Sequence, residues 1–169
     1  MGDTPAGRYT RAHDNATLDS EVVLSLRAAT DIRAPAEIVF AVLSTPERLP
    51  EWNTSVESAR RRDPDEVVCL GSRAIFAGRL LGQVLESETQ VVEFEPPRLF
   101  ATRAIRGPRL NSRFELDTLP EGTRVRLDVS GEVPGGRLGG MLAEGFLRRE
   151  LIASLDRLRA VCEKGQRVG

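Results

Sequence analysis

The chain has 169 residues, of which 40% are apolar and 29% charged, proportions that fit one folded domain and exclude a disordered chain. Its 24 basic and 25 acidic side chains leave a net charge of -1, so no overall field attracts nucleic acid or an anionic membrane surface. No apolar run approaches the roughly 18 residues that a membrane span needs. We therefore expect no nucleic-acid partner and no membrane insertion.

The two ends of the chain are polar and aperiodic. Residues 1–20 predict a flexible leader, and 164–169 predict a tail. The leader lacks the apolar segment of a secretory signal, which favours a cytoplasmic protein. What remains, residues 21–163, is expected to form a single domain.

Few residues could hold a metal or act as a catalytic base. The one histidine, His13, lies in the predicted leader, which excludes a histidine triad or a multi-histidine metal site within one chain. Cys69 and Cys162 stand far apart and outside any CxxC pair, so free thiols are expected. We predict no metal and no cofactor.

The first predicted elements are a strand and two short helices. VVLSLRAATDI at 22–32 has the alternation of a strand. An Ala-Pro step at 34–35 begins a helix, because the missing N–H of proline costs nothing in the first turn. Its apolar stripe is Ile38, Val39, Val42 and Leu43. The Thr-Pro step at 45–46 ends it, and a second helix of one or two turns reaches Trp52.

The middle of the chain predicts about six antiparallel strands joined by short turns. They are SVESARRR, SRAIFAGRLLGQ, QVLESETQVVEFE, LFATRAI, LNSRFELDTL and TRVRLDVSGEV. The last is the clearest, since Val125, Leu127 and Val129 alternate with charged residues, which indicates one wet and one buried face. Spacings of about ten residues favour hairpins over parallel crossovers.

One long helix is predicted from 137 to 163. Its apolar residues form a stripe along one side: Leu147, Leu151, Leu155, Leu158 and Cys162. At 1.5 Å per residue it would be roughly 40 Å long, enough to cross a small domain. Its first half contains Gly139, Gly140 and Gly145, which weaken it or permit bending.

Several motifs in this order resemble a known superfamily. They are IRAPAEIVF at 32–40, LPEW at 49–52, EPPRL at 95–99, TRVRL after a glycine turn, and LRRELIASLDRL at 147–158. The chain resembles the START-like, or birch-pollen-allergen-like (SRPBCC), superfamily, and within it the bacterial polyketide cyclase/dehydrase group. The resemblance covers about residues 21–163.

The resemblance implies an α+β helix-grip fold. A curved antiparallel sheet of about seven strands would wrap around the long C-terminal helix, and the two short helices would close one end. The resemblance also implies a cavity between sheet and helix for an apolar or aromatic molecule. Trp52 would then line the rim of the cavity, or would only pack the short helices onto the sheet.

The residues expected around such a cavity are mostly aromatic. They are Trp52, Phe76, Phe100, Asn111, Phe114, Met141 and Phe146. No catalytic motif matches position by position, so a catalytic site stays unknown. Arg73, Arg103 and Glu86 are candidates, because an inward arginine could polarise a carbonyl and an inward carboxylate could act as a general base.

Whether these candidate side chains face the cavity depends on the strand register, and the sequence leaves the register open. One register of 99–105 turns Arg103 inward, and the other turns Phe100 and Thr102 inward. An unpaired buried arginine is costly, which favours Arg103 facing outward.

Three functions remain open. The first is binding of a small hydrophobic molecule, polyketide- or lipid-like, as a carrier, sequestering factor or sensor. The second is a cofactor-independent polyketide cyclase, aromatase or dehydratase. The third is a protein-interaction module. A biosynthetic enzyme is a candidate protein partner.

Overall fold

The computed structural model describes residues 21–80, 82–133 and 136–165. The predicted leader, 1–20, and residues 166–169 of the predicted tail lie outside the described residues. The helices are α1 (Ala36–Ser44), a 3-10 helix (Pro46–Arg48), α2 (Leu49–Trp52) and α3 (Gly136–Lys164). The strands are β1 (Val22–Ile32), β2 (Val56–Arg61), β3 (Arg73–Leu80), β4 (Gln83–Glu95), β5 (Leu99–Arg106), β6 (Leu110–Leu119) and β7 (Gly122–Val133).

Within the described residues, the seven strands form one antiparallel sheet in the order β1-β7-β6-β5-β4-β3-β2. From β2 to β7 each strand pairs with the next one in the chain, as short turns require. β1 pairs with β7 along its whole length, from Val22 opposite Val133 to Ile32 opposite Thr123. The sheet is curved and α3 lies against it, so the predicted helix-grip architecture is confirmed.

The apolar core lies where the C-terminal half of α3 meets β1, β7 and α1. Leu155, Leu158 and Cys162 are buried in it, on the stripe that the sequence predicted. The fully buried residues that the other elements contribute are Leu26, Ile32, Val39, Val42 and Val125. α3 is therefore anchored mainly by its second half.

α1 faces the core with a slightly different stripe from the predicted one. Val39, Phe40 and Leu43 are buried, whereas Ile38 is 42% exposed, so its predicted core position is wrong. Phe40 packs its ring edge-on against Phe94, with ring centroids 5.5 Å apart. Ile38 lies about 200° from Phe40 around the helix axis, so it is turned away from the core that Phe40 faces.

The segment between α2 and β2 is held against the edge of the sheet. The backbone N–H of Arg79 donates to the carbonyl oxygen of Ser55 at 2.8 Å. A Cβ atom at Gly78 would lie 2.0 Å from that oxygen. Glycine at this position therefore lets β3 approach the segment closely enough for the hydrogen bond.

Candidate functional site

A cavity of about 240 Å³ lies between the inner face of the sheet and the middle of α3. The elements that follow β1 close one side of it, through Leu43, Leu49 and Trp52. Most of its wall is apolar. A space of this size persists because several wall positions, such as Ala74, Gly78 and Ser112, carry small side chains.

The sheet contributes alternate residues of its central strands to the wall. β3 contributes Ala74, Phe76 and Gly78, β4 contributes Leu85, Ser87 and Thr89, β5 contributes Phe100 and Thr102, and β6 contributes Leu110, Ser112 and Phe114. This alternation follows from the two-residue period of a strand.

Hydroxyl groups form a patch within this apolar wall. Thr102 of β5 lies directly opposite Ser112 of β6, and Ser87 and Thr89 lie on the next strand. Within the described residues, none of these four hydroxyls makes a hydrogen bond to another side chain or to the backbone. The wall can therefore offer hydrogen bonds to a bound molecule as well as apolar contact.

The helix contributes one face of its middle turns. Leu147, Glu150, Leu151 and Ser154 line the cavity at positions i, i+3, i+4 and i+7, the spacing of a single helical face. This face continues the stripe that is buried in the core further along α3. Glu150 and Ser154 place two polar groups among the leucines.

The side chains of Glu150 and Ser154 connect α3 by hydrogen bonds to the closing segment, residues 53–55, which follows α2. Glu150 Oε2 accepts hydrogen bonds from Thr54 Oγ1 at 2.6 Å and from Ser55 Oγ at 3.0 Å. The backbone N–H of Thr54 donates to Ser154 Oγ at 3.1 Å. The two hydroxyl oxygens of Thr54 and Ser154 are also 3.1 Å apart.

An aromatic cluster lies at the border of the cavity, where the short helices meet the sheet. Trp52 is only 3% exposed and meets Phe114 edge-on, while Phe100 and Phe114 are stacked with ring centroids 6.3 Å apart. The indole Nε1 of Trp52 is buried and has no hydrogen-bond partner within the described part of the chain. Trp52 lies in the cavity wall and also packs on the sheet.

Four of the seven predicted cavity residues lie in the wall: Trp52, Phe76, Phe100 and Phe114. The other three, Asn111, Met141 and Phe146, lie outside it. Asn111 alternates with Leu110 and Ser112, and its Oδ1 accepts the backbone N–H of Ala104 at 3.0 Å.

Met141 and Phe146 belong to α3 but not to its cavity face. Met141 is 70% exposed. Phe146 precedes Leu147 by one residue and is therefore turned about 100° away from it around the helix axis. Whether the four wall residues contact a ligand stays a prediction.

The three catalytic candidates lie on the outer face of the sheet. Thr102 faces the cavity, so Arg103 faces outward, where its Nη2 is 3.4 Å from Gln90 Oε1. Glu86 forms an ion pair with Arg106 on that face. Arg73 precedes the inward-facing Ala74, and its side chain is about half exposed. Side chains on this face point away from the cavity. Arg103 therefore faces outward, as the cost of burying an arginine favours, and Arg73 and Glu86 do not have the inward position that a catalytic role in the cavity would require.

Paired charges cover much of the same outer face. Arg113 Nε lies 2.9 Å from Glu93 Oε1, and Arg124 Nε lies 2.7 Å from Asp31 Oδ1. The hydrogen bond from Arg124 lowers the pKa of the Asp31 carboxyl. These contacts use the charges of the outer face for ion pairs between strands.

The sequence reasoning missed Glu150, Ser154, Ser87 and Thr89, and it named Thr102 only in one of the two registers that it left open. Glu150 and Ser154 could have been found, because they continue the helical phase of Leu147 and Leu151. The hydroxyls on the strands carried no such signal, since their face depends on register.

Two further searches concern the described residues only. In the described ranges, no group of three or more histidine, cysteine, aspartate or glutamate side chains could hold a metal ion. None of the helices described here combines the length and apolar character needed to span a membrane.

Comparison with known proteins identifies the family. A family model described as "Polyketide cyclase / dehydrase and lipid transport" matches residues 23–163. The chain belongs to this family. No curated protein sequence matches it.

Solved structures of this fold support the assignment of the architecture. The Zhui aromatase/cyclase from Streptomyces sp. R1128 has 17% sequence identity and a TM-score of 0.70, over 87% of this chain and 98% of its own. A START superfamily protein from Mycobacterium smegmatis has 17% identity and a TM-score of 0.68, over 83% and 97%. Major latex-like protein 151 from Panax ginseng has 12% identity and a TM-score of 0.64, over 83% and 97%. At these identities the likeness concerns the fold alone.

Proposed function

We propose that this member of the polyketide cyclase/dehydrase and lipid transport family binds a small hydrophobic or aromatic molecule, polyketide- or lipid-like, as a carrier, sequestering factor or sensor. The observation that carries the proposal is the apolar cavity of about 240 Å³ between sheet and helix. A cavity of roughly 150 Å³ already holds benzene in an engineered protein. The space here suits a molecule of one to three rings or a short alkyl chain.

The wall favours binding by shape and apolar contact. Phe76, Phe100 and Phe114 offer aromatic surface from three strands, and Leu147 and Leu151 close over it from the helix. Removal of apolar ligand surface from water is worth roughly 25 cal/mol per Å² before the costs of binding are counted. The hydroxyl patch can orient a ligand without requiring a charge.

The test is binding of the neutral dye N-phenylnaphthylamine, whose fluorescence rises in an apolar site. Ala74 faces the cavity and Ala77 lies on the outer face of the same strand. We expect Ala74→Leu to weaken dye binding because it fills the cavity, and Ala77→Leu to leave binding unchanged.

Both variants should unfold cooperatively, which circular dichroism checks. If the wild-type protein neither binds the dye nor gains melting temperature with any apolar compound, the binding proposal fails. That result would favour the protein-interaction alternative.

A second candidate is catalysis in the same cavity, as a cofactor-independent cyclase, aromatase or dehydratase. Its support is that the wall contains Glu150 beside an otherwise apolar space, where a carboxylate can act as a general base. The test is incubation with a synthetic poly-β-keto thioester and analysis of products by mass spectrometry. Turnover that Glu150→Gln abolishes would support this candidate, and no turnover above the uncatalysed rate would reject it for this substrate.

A further inference from the structure

Glu150 is a charged residue in the cavity wall with no cationic partner. The other charged residue of the wall, Arg79, uses its charge elsewhere, because its Nε lies 2.7 Å from Glu57 Oε1. Within the described residues no arginine or lysine nitrogen lies within 4.0 Å of Glu150. The wall therefore holds one uncompensated carboxylate.

Two hydroxyl groups donate hydrogen bonds to the carboxylate of Glu150. Thr54 Oγ1 and Ser55 Oγ lie within hydrogen-bond distance of Oε2, which as part of a carboxylate can only accept. Ser154 Oγ accepts a hydrogen bond from the backbone N–H of Thr54, and its hydroxyl group can donate a hydrogen bond to Thr54 Oγ1. The donors of this network thus point in sequence toward the carboxylate.

The hydrogen bonds between the closing segment and Glu150 use only one of the two carboxylate oxygens of Glu150. Oε2 makes both hydrogen bonds, and Oε1 makes none with any described residue. A serine or glutamine could tie the segment equally well without introducing a charge beside an apolar space. The second oxygen therefore belongs to a residue of the cavity wall and has no hydrogen-bond partner among the described residues.

We infer that the ligand of this cavity carries a protonated amine that pairs with Glu150. This inference rests on the proposed binding function and adds the chemical class of the ligand. The apolar body of the ligand would lie against Phe76, Leu147 and Leu151, and its ammonium group would donate to Oε1. A charge-assisted hydrogen bond of this kind is about twice as strong as one between neutral groups.

The experiment compares naphthalene derivatives that differ in one substituent. Methylnaphthalene, naphthylmethanol, naphthylmethylamine and naphthoate compete with N-phenylnaphthylamine at neutral pH. We expect the amine to bind about tenfold more tightly than the alcohol, the effect of one charge-assisted hydrogen bond. Naphthoate should bind most weakly, because its charge has the same sign as Glu150.

Two variants test whether the preference for the amine over the alcohol depends on Glu150. Glu150→Gln keeps an acceptor for Thr54 and Ser55 but removes the charge, so the amine should lose its advantage over the alcohol. Glu144→Gln is the matched control on the same helix, since Glu144 pairs with Arg148 outside the cavity. It should keep the preference.

The outcomes of the competition experiment distinguish this inference from the proposed binding function on which it rests. If methylnaphthalene displaces the dye but the wild-type protein does not prefer the amine over the alcohol, the cavity binds apolar molecules and the inference is wrong. The wild-type comparison decides this even if Glu150→Gln does not fold. A preference that persists in a folded Glu150→Gln protein also overturns it. If the dye binds but none of the four compounds displaces it, only the inference is wrong. If neither the dye nor any of the four compounds binds, the latter judged by melting temperature, both proposals are wrong.

Discussion

The indole ring of Trp52 lies edge-on against the ring of Phe114, with ring centroids 6.0 Å apart and ring planes at 87°. This contact joins the short helices to the sheet at the border of the cavity. Phe114 in turn stacks on Phe100 across β5 and β6. The aromatic wall of the site and the packing of α2 therefore depend on the same residues.

Truncation of Trp52 should be strongly destabilising, whereas its replacement by phenylalanine should not. Trp52→Ala is expected to lower the free energy of unfolding by about 3–5 kcal/mol, because it leaves a cavity in packed surroundings. Trp52→Phe keeps a ring against Phe114 and removes an indole N–H that has no hydrogen-bond partner among the described residues, so its cost should be smaller. Urea unfolding followed by far-UV circular dichroism measures both. A loss below about 1 kcal/mol for Trp52→Ala would contradict the packing described here.

Replacement of glycine by alanine should have opposite effects on stability at positions 78 and 145. Gly78→Ala places a Cβ atom 2.0 Å from the carbonyl oxygen of Ser55, and we expect a loss of about 1–3 kcal/mol. Gly145→Ala meets no atom within 4 Å and lies inside α3, so it should stabilise the protein by about 0.5–1 kcal/mol. Thermal and urea unfolding of the two variants provide the comparison, and equal effects would refute it.

The thiol of Cys162 predicts a loss of stability in alkaline solution. Cys162 is 1% exposed, and its burial raises the pKa of the thiol from 9.0 to about 11. Because the folded protein holds the proton more tightly, this contribution is complete below pH 9.0 and is lost as the pH rises toward about 11. Over the whole window the free energy of unfolding should fall by roughly 2–3 kcal/mol.

Unfolding in urea across this pH range tests the expectation. Cys162→Ala should lack the alkaline loss, although its stability near neutral pH is lower because packing is lost. Cys69→Ala should retain it, since Cys69 is exposed. The window contains few other titrations, because Lys164 is the one lysine of the chain and Tyr9 the one tyrosine. An identical pH profile for Cys162→Ala and wild type would exclude the assignment.

Thr54 should control how fast a ligand reaches the cavity. Thr54→Val removes the hydroxyl that contacts Glu150 and Ser154 but keeps the shape of the side chain. We expect a loss of about 1 kcal/mol in stability and faster association of N-phenylnaphthylamine in stopped-flow measurements. The control is Thr118→Val, because Thr118 is exposed near the end of β6. Unchanged association rates for Thr54→Val would mean that this network does not restrict access.

The fold could be predicted from the sequence because its strongest patterns are local. The alternation of Val125, Leu127 and Val129 predicts the buried face of β7, and all three are buried. The stripe of α3 predicts its core contacts at Leu155 and Leu158 in the same way. Such patterns need only the period of the element and one buried surface.

The residues of the cavity were harder to predict because their orientation depends on irregular pairing. The pairing of β4 with β5 shifts between Glu88 and Thr89 and again between Val91 and Glu93. Each shift changes the residue that faces a given partner, and no turn signal in the sequence marks it. The strand pattern alone therefore could not orient Arg103, and only the cost of burying an arginine favoured its outward position. Met141 could have been placed outside the cavity, because it is out of phase with the stripe of α3.

The division of α3 into two parts has a consequence for guest exchange. Leu155, Leu158 and Cys162 are buried in the core, whereas Leu147 and Leu151 cover the cavity one to two turns earlier. If the cavity binds a guest as proposed, movement of the earlier turns would admit or release it while the later turns stay packed. The residence time of the guest would then be governed by a local fluctuation of the helix, and substitutions that leave the melting temperature unaltered would change it.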